Sequence, residues 1–163
     1  AKGQTIVGNN CLLMAYVHVA HDCELGNGVI LVNSVGLAGE IVIGDFAYIG
    51  GMVGVHQFVN IGAHTMIQGG SLIGKDIPPF VTAGRYPAQY TGLNVIGLRR
   101  RGFDNDRIEH IHDIYRLIYN KNLNTSQAID EIEKQMPPSD DRNEIVDFIR
   151  NSKRGIIKGY LEN

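Results

Sequence analysis

A six-residue repeat of aliphatic side chains organises the first half of this chain. Twelve aliphatic residues stand six positions apart: Val7, Leu13, Val19, Leu25, Leu31, Leu37, Ile43, Ile49, Val55, Ile61, Ile67 and Ile73. A period of six does not match the 3.6-residue period of an α-helix, and twelve unbroken repeats are too long for an ordinary hairpin sheet. It is the hexapeptide pattern of a parallel β-helix, in which each hexad forms a short strand and a turn. We therefore predict a mainly β fold, with a β-helix over residues 1–76.

Three hexads make one triangular coil of eighteen residues, so the aliphatic side chains should stack in three inward ladders. The ladders are predicted to begin at Val7, Leu13 and Val19 and to continue through four coils. Glycine and asparagine after the aliphatic residue, as in Gly8-Asn9-Asn10 and Gly26-Asn27-Gly28, suit corners where φ can be positive. Since the chain begins with Ala1 in mid-repeat, we expect further coils upstream.

The repeat ends at two consecutive prolines, Pro78 and Pro79. Proline cannot donate to a strand ladder, so residues 77–93 are predicted to form an irregular, extended exit segment. From residue 94 the apolar spacing becomes helical, which predicts a C-terminal α-helical domain over residues 94–163.

Three helices are predicted in this C-terminal domain. Asp104 is a typical N-cap for a helix near residues 105–120, and a second helix should start at Thr125 and stop before Pro137. A third is expected between residues 139 and 152. Together they should cap the C-terminal end of the β-helix.

The outer faces of the predicted coils carry few charges. Residues 1–74 contain one basic residue, Lys2, and four acidic residues. Because a monomer should cover such faces with charge, we expect much of this surface to be buried against other copies of the chain. The net charge of −2 gives no reason to expect nucleic-acid binding. There is no signal-like or membrane-spanning apolar run, and the two cysteines, Cys11 and Cys23, fit buried free thiols, so a cytoplasmic protein is expected.

Polar side chains interrupt the repeat along one edge of the prism. The candidate residues at this edge are His18, His21, Asp22, His56 and Gln57. The eighteen-residue stacking puts His21 against Gly39, and we expect Met52 and Phe58 nearby. Two chemistries suit this edge: a histidine general base held by an acid, or a Zn²⁺ site of three histidines. A third possibility is that these polar side chains only form hydrogen bonds across a subunit interface.

A run of three arginines follows Asn94. The segment Arg99-Arg100-Arg101-Gly102-Phe103 could bind phosphates, or it could be a solvated helix face.

Three segments carry a resemblance to a known family: Val19-Ala20-His21-Asp22-Cys23, Gly51 to Phe58 and Gly97 to Phe103. Together they resemble the UDP-N-acetylglucosamine acyltransferases of lipid A biosynthesis. The resemblance implies a left-handed parallel β-helix and a homotrimer with active sites between subunits. It implies transfer of a 3-hydroxyacyl chain from acyl carrier protein to the glucosamine 3-hydroxyl of UDP-N-acetylglucosamine.

The same resemblance implies roles for individual residues. His21 matches the general base, Asp22 its partner, and the Gly39 N–H the oxyanion donor. The positions matching substrate contacts are His18, His56, Gln57, Gly69, Asn94, Arg100 and Arg101, with Gly69 at the place that sets acyl-chain length. No cofactor or metal is expected. Glu40 departs from the pattern, since some members carry histidine there, and we give it no catalytic role.

Several other functions remain possible on this scaffold. A related sugar N-acyltransferase or a coenzyme A-dependent acetyltransferase would share the coils but not the arginine segment. A γ-class carbonic anhydrase would need three zinc-binding histidines, and a non-enzymatic scaffold would not depend on His21.

Overall fold

The first half of the chain forms a parallel β-helix, as predicted. The computed structural model describes residues 2–120 and 122–159. Over the coils it contains the two-residue strands β1 Ile6–Val7, β2 Leu12–Leu13, β3 His18–Val19, β4 Glu24–Leu25, β5 Ile30–Leu31, β6 Gly36–Leu37, β7 Val42–Ile43, β8 Tyr48–Ile49, β9 Gly54–Val55, β10 Asn60–Ile61, β11 Met66–Ile67 and β12 Leu72–Ile73. They pair in parallel as a first sheet β1-β4-β7-β10, a second β2-β5-β8-β11 and a third β3-β6-β9-β12. The left-handed sense stays a prediction from the resemblance.

The inward aliphatic side chains stack in the predicted register. Val7 pairs with Leu25, Leu13 with Leu31, and later coils continue the same eighteen-residue offset. From Leu25 to Ile73 the ladder residues are at most 4% exposed. In the first coil, by contrast, Val7 is 45% and Leu13 39% exposed, because a described coil lies against them on one side only. The stacking prediction is thus confirmed, and full burial is reached only from the second coil onward.

Each coil turns at three corners, which we number by the sheet that precedes them. Corner 1 follows the first sheet and includes Phe46 and His64; corner 2 follows the second and includes Met52 and Gly69; corner 3 follows the third and includes His21 and Gln57. Positive φ occurs at the third residue after the inward aliphatic, and most of these residues are not glycine. The expectation for these corners is confirmed at Asn10, with φ of 56°, and at Gly28, with φ of 64°, whereas positive φ does not occur at Gly8. A Cβ there would lie 2.5 Å from the Gly26 carbonyl oxygen, so this glycine permits close contact between coils.

The exit segment is more regular than the sequence suggested. Strand β13, Val81–Gly84, pairs in parallel with β11, and β14, Gln89–Leu93, folds back antiparallel to β13. A short strand near the end of the chain, β15 at Lys158–Gly159, pairs with β14. The exit segment over residues 77–93 is extended, as predicted, but the prediction that it is irregular is wrong, because the prolines end the hexads while the second sheet still has an edge that can pair.

The helices follow this hairpin. They are α1 Val95–Arg100, α2 Asn105–Ile118, α3 Thr125–Gln135 and α4 Asp140–Asn151. The side chains of Asp104, Asn124 and Ser139 cap α2, α3 and α4. The three predicted helices are confirmed, whereas the short α1 was not predicted. None of the described helices is both long and apolar enough to span a membrane.

The helical region is bonded to the last coil, as the predicted cap requires. The Tyr115 hydroxyl donates to the Pro79 carbonyl at 2.6 Å. Asp76 is fully buried and accepts bonds from the Asn60 N–H at 2.8 Å and the Ser152 hydroxyl at 2.6 Å. The Tyr115 bond thus joins α2 to the exit segment, and the Ser152 bond joins the end of the β-helix to the residue that follows α4. Residues 1, 121 and 160–163 of the two predicted domains lie outside the described residues.

Candidate functional site

A histidine–aspartate pair occupies corner 3. The Nδ1 atom of His21 lies 2.8 Å from Oδ2 of Asp22. Asp22 is only 4% exposed, and its Oδ1 accepts the N–H of Gly3 at 2.5 Å. The hydrogen bond from His21 is the main cause that lowers the pKa of Asp22, so the carboxyl is ionised at neutral pH. The pair therefore consists of a buried carboxylate that holds one nitrogen of an accessible imidazole.

This hydrogen bond determines which imidazole nitrogen can act as a base. A neutral imidazole has one N–H and one lone pair. With Nδ1–H donating to Asp22, the lone pair lies on Nε2 of His21. The His21 side chain is 64% exposed, so Nε2 can meet a substrate hydroxyl. The predicted pairing of His21 with Asp22 is present, and it leaves Nε2 of His21 as the nitrogen that can accept a proton.

Gly39 lies against the His21 ring, one coil further along. A Cβ on Gly39 would collide with Cε1 and Nε2 of the ring, so only glycine leaves the imidazole in this position. The N–H of Gly39 donates to no atom within the described part of the chain, while its carbonyl accepts the N–H of Phe58 at 3.2 Å. A backbone N–H without a partner, on the residue packed against the imidazole, is the kind of donor that can stabilise an oxyanion.

The other predicted residues of this edge lie around corner 3. His18 is exposed on β3, and Gln57 and Phe58 form the same corner two coils beyond His21. His56 is exposed just before them, with its Nδ1 3.0 Å from the Gln57 carbonyl oxygen. Met52 lies at corner 2, so the expectation that it stands beside these histidines is wrong. Adjacent strands are about 4.8 Å apart, so the edge extends over roughly 10 Å.

A second group of predicted residues lies at corner 1. An open groove of about 940 Å³ follows the outer face of the second sheet, and its lining includes Tyr48, Met66, Asn94, Arg100 and Arg101. Asn94 caps α1 through its Oδ1, which accepts the Gly97 N–H at 3.2 Å. The groove thus combines apolar walls with two guanidinium groups.

Gly69 occupies the remaining corner. It is exposed at corner 2, and a Cβ there would lie 3.1 Å from the Gly51 carbonyl oxygen. Within one chain the predicted site residues are consequently divided among three corners: the histidines at corner 3, Gly69 at corner 2, and Asn94 with the arginines at corner 1. The chain brings the first set together and keeps the other two apart from it.

Two further residues of the coils, Glu40 and His64, lie at corners 3 and 1. Glu40 is half-buried at corner 3, where its N–H donates to the His21 carbonyl at 3.0 Å. His64 was not singled out from the sequence, although it is the fourth histidine of the coils and stands at corner 1 among aromatic residues.

Over residues 2–120 and 122–159, no three histidine, cysteine, aspartate or glutamate side chains are grouped closely enough to hold a metal ion. A further open cleft of about 880 Å³, between β14 and α2, contains none of the predicted site residues.

The sequence of this chain is similar to a family of known proteins. The family model described as UDP-N-acetylglucosamine O-acyltransferase, domain 2, matches residues 76–157, and the six-repeat bacterial transferase hexapeptide model matches residues 4–39. An acyl-[acyl-carrier-protein]–UDP-N-acetylglucosamine O-acyltransferase from Burkholderia orbicola is 46% identical over 160 residues, which cover 96% of this chain and 61% of that protein.

Solved structures agree with this assignment. UDP-N-acetylglucosamine acyltransferase from Bacteroides fragilis superposes with a TM-score of 0.94 at 57% identity, covering 96% of this chain and 62% of that one. The O-acyltransferase from Moraxella catarrhalis gives 0.92 at 42% identity, covering 96% and 61%. The chain thus spans less than two thirds of the length of these relatives. Its hexads and its C-terminal region both match, and the chain belongs to the UDP-N-acetylglucosamine O-acyltransferase family.

Proposed function

We propose that this chain carries the catalytic residues of an enzyme that acylates UDP-N-acetylglucosamine in lipid A biosynthesis. The donor in this proposal is a 3-hydroxyacyl thioester of acyl carrier protein, and the acceptor is the 3-hydroxyl of the glucosamine. The observation that carries the proposal is the arrangement of His21, Asp22 and Gly39 at corner 3. The chain's free thiols at Cys11 and Cys23 suit a cytoplasmic enzyme.

In the proposed mechanism His21 acts as general base. Its Nε2 removes the proton of the sugar 3-hydroxyl while that oxygen attacks the thioester carbonyl carbon. The carbonyl oxygen becomes an oxyanion, which the N–H of Gly39 stabilises. When the carbon–sulfur bond breaks, the thiolate leaves and takes the proton from His21. The Asp22 carboxylate stabilises the imidazolium between these steps, and no covalent enzyme intermediate, metal or cofactor is needed.

We assign nucleotide binding to the second group of residues. Arg100 and Arg101 are suited to the diphosphate, because a guanidinium presents several donors to phosphate oxygens. Asn94 contributes an amide at the same groove. His18, His56 and Gln57 would line the acyl and sugar cleft, and Gly69 would leave room for a long acyl chain.

A complete site then requires more than one copy of the chain, because these residues stand at different corners. We propose a homotrimer in which corner 3 of one subunit faces the second sheet of its neighbour. The outward residues of the second sheet, Ile30, Tyr48 and Met66, are apolar or uncharged, which suits such a contact.

Mixed oligomers test whether the site is shared. We expect His21→Ala and Arg101→Ala proteins to be nearly inactive alone, with Arg101→Ala assayed at low UDP-N-acetylglucosamine. If each site takes His21 from one subunit and Arg101 from the next, random co-assembly should restore about a quarter of the sites. Co-purified mixtures with different affinity tags would be assayed. A mixture of His21→Ala with Asp22→Ala is the matched control, because both residues come from one corner and no site is restored. Equal activity of the two mixtures would contradict the shared site.

The activity itself is tested by product analysis. The purified protein should convert UDP-N-acetylglucosamine and 3-hydroxyacyl carrier protein to a 3-O-acylated sugar nucleotide, identified by mass and by the shifted resonance of the sugar H3 proton. Acetyl coenzyme A and an amino-sugar nucleotide serve as the competing substrate pair. Preference for that pair would instead support the N-acyltransferase or acetyltransferase alternative.

A further inference from the structure

An aromatic column runs along corner 1 and contains His64. The His64 ring stacks with Phe46 on one side, at a centroid distance of 5.3 Å, and with Phe80 on the other, at 5.7 Å. Phe103, at the end of the arginine segment, meets the edge of the same ring at 5.2 Å. The imidazole is therefore enclosed between two coil levels and the start of the helical region.

This column touches both kinds of nucleotide-binding residue. The backbone carbonyl of His64 accepts a hydrogen bond from the Asn94 side-chain amide at 2.9 Å. The guanidinium of Arg101 lies over the Phe46 ring, 4.8 Å from its centroid, and Nη1 of Arg101 is 3.3 Å from the Gly97 carbonyl oxygen. Asn94 and Arg101 thus take their positions from the backbone of His64 and from the ring stacked on it.

Phenylalanine would satisfy the packing at this position. Phe46 and Phe80, which flank His64 in the column, have φ of 59° and 70°, close to the 56° of His64. Phenylalanine therefore occurs in this column with the same backbone conformation. The imidazole instead leaves its Nδ1 buried without a hydrogen-bond partner. An unpaired buried polar atom is costly, so packing alone does not explain a histidine here.

The charges around the ring favour its neutral form. Arg101 lies nearby, and Arg107 stands 3.6 Å from the centroid of Phe103, where Asp141 holds it through two bonds of 2.7 and 2.8 Å. Burial is the main cause that lowers the pKa of His64, followed by the two arginines, while Asp45 and Asp141 oppose the shift. A proton on His64 would add a third cation to this cluster.

We propose that His64 is a positioning residue for nucleotide binding, and that Asn94 and Arg101 keep their binding geometry only while the His64 ring is neutral. This inference rests on the proposed role of Asn94 and Arg101 as nucleotide contacts. Protonation repels Arg101 from the face of Phe46 and loosens the stack that fixes the carbonyl bonded to Asn94. The affinity for the sugar nucleotide should then fall in acid, without any direct contact between His64 and the substrate.

His64→Phe separates this role from simple packing. It keeps an aromatic ring in the column but cannot be protonated. Because burial and the two arginines lower the pKa of His64, its protonation begins below the usual range of histidine. We therefore expect the Kd of UDP-N-acetylglucosamine, measured by titration calorimetry from pH 8 to 5, to rise at least about twofold more for the wild type than for His64→Phe, with the difference at the acid end. Both proteins contain the histidines at corner 3, so any effect of their titration on Kd is the same in the wild type and in His64→Phe and does not contribute to the difference. His112→Phe, at a position on α2 where the side chain is 41% exposed, is the matched control and should follow the wild type.

His64→Ala adds a kinetic readout, since it removes the ring altogether. We expect KM for UDP-N-acetylglucosamine to rise about tenfold at pH 8 while kcat stays within about twofold. If this variant unfolds, as its melting curve would reveal, His64→Phe alone decides the question. The same pH response of Kd in wild type and His64→Phe would overturn the inference and leave the proposed function intact. Failure of the wild type to bind UDP-N-acetylglucosamine would overturn both.

Discussion

Replacing His21 with alanine should lower kcat for acyl transfer by about 10²–10⁴-fold, the usual effect of losing a general base. KM for UDP-N-acetylglucosamine should change little, because the proton is transferred in the transition state rather than in the bound ground state. The side chain is exposed, and its hydrogen bond is to Asp22, so the fold should tolerate its removal. Initial rates at saturating donor would measure the effect.

Two variants accompany this experiment. His112→Ala removes a half-buried histidine of α2 that is not among the predicted site residues, and it should leave kcat unchanged. Asp22→Asn retains the shape of the partner but loses the charge that stabilises the imidazolium, so kcat should fall by less than in His21→Ala. A wild-type rate in His21→Ala would remove this residue from the mechanism, and with it the observation on which the proposed function depends.

Replacing Gly39 with alanine should lower kcat by about 100-fold, equivalent to about 2.7 kcal/mol of activation free energy. The φ of Gly39 is not in the left-handed region, so alanine is compatible with the backbone there. Its Cβ, however, would occupy the place of the His21 ring and force the imidazole to move. A displacement of about 1 Å is enough for a loss of this size. Binding of UDP-N-acetylglucosamine should persist, because Asn94 and Arg101 lie at another corner.

Gly74→Ala is the matched control for this variant. Gly74 lies on the same side of the prism, and a Cβ there would meet nothing within 4 Å. We expect wild-type kcat and a wild-type melting temperature. An equal loss of activity in both alanine variants would mean that the effect is not specific to the contact with His21. A fully active Gly39→Ala protein would show that the His21 ring works equally well elsewhere.

The placement of corner 3 could be predicted because it depends on counting. Eighteen residues separate His21 from Gly39 and Gly39 from Gln57, and equal hexads require them to stack. The hydrogen-bonded register of every coil confirms that spacing. The pairing of His21 with Asp22 followed from adjacency in sequence. Local periodicity and capping likewise predicted α2, α3 and α4.

Features that depend on contacts between residues far apart in the sequence could not be predicted from periodicity or capping. The hairpin of β13 and β14 forms because the second sheet continues past the prolines, and β15 joins it from the other end of the chain. The burial of His64 depends on Phe103, which comes from a segment thirty-nine residues later in the sequence. Neither the pairing of β13, β14 and β15 nor the contact of His64 with Phe103 follows from a repeat in the sequence. The aromatic residues repeated at corner 1 were the one relevant sequence signal.

The stacked coils also determine how such a site can change during evolution. Residues along one corner are separated by whole coils, so their distances along the axis take only values that are multiples of about 4.8 Å. Gain or loss of eighteen residues between His21 and Gln57 would preserve the fold but move these groups by one full step. A single-residue insertion would shift every later hexad out of register. Fine adjustment of the cleft is therefore left to side-chain substitutions at fixed positions, whereas its length is set in discrete steps.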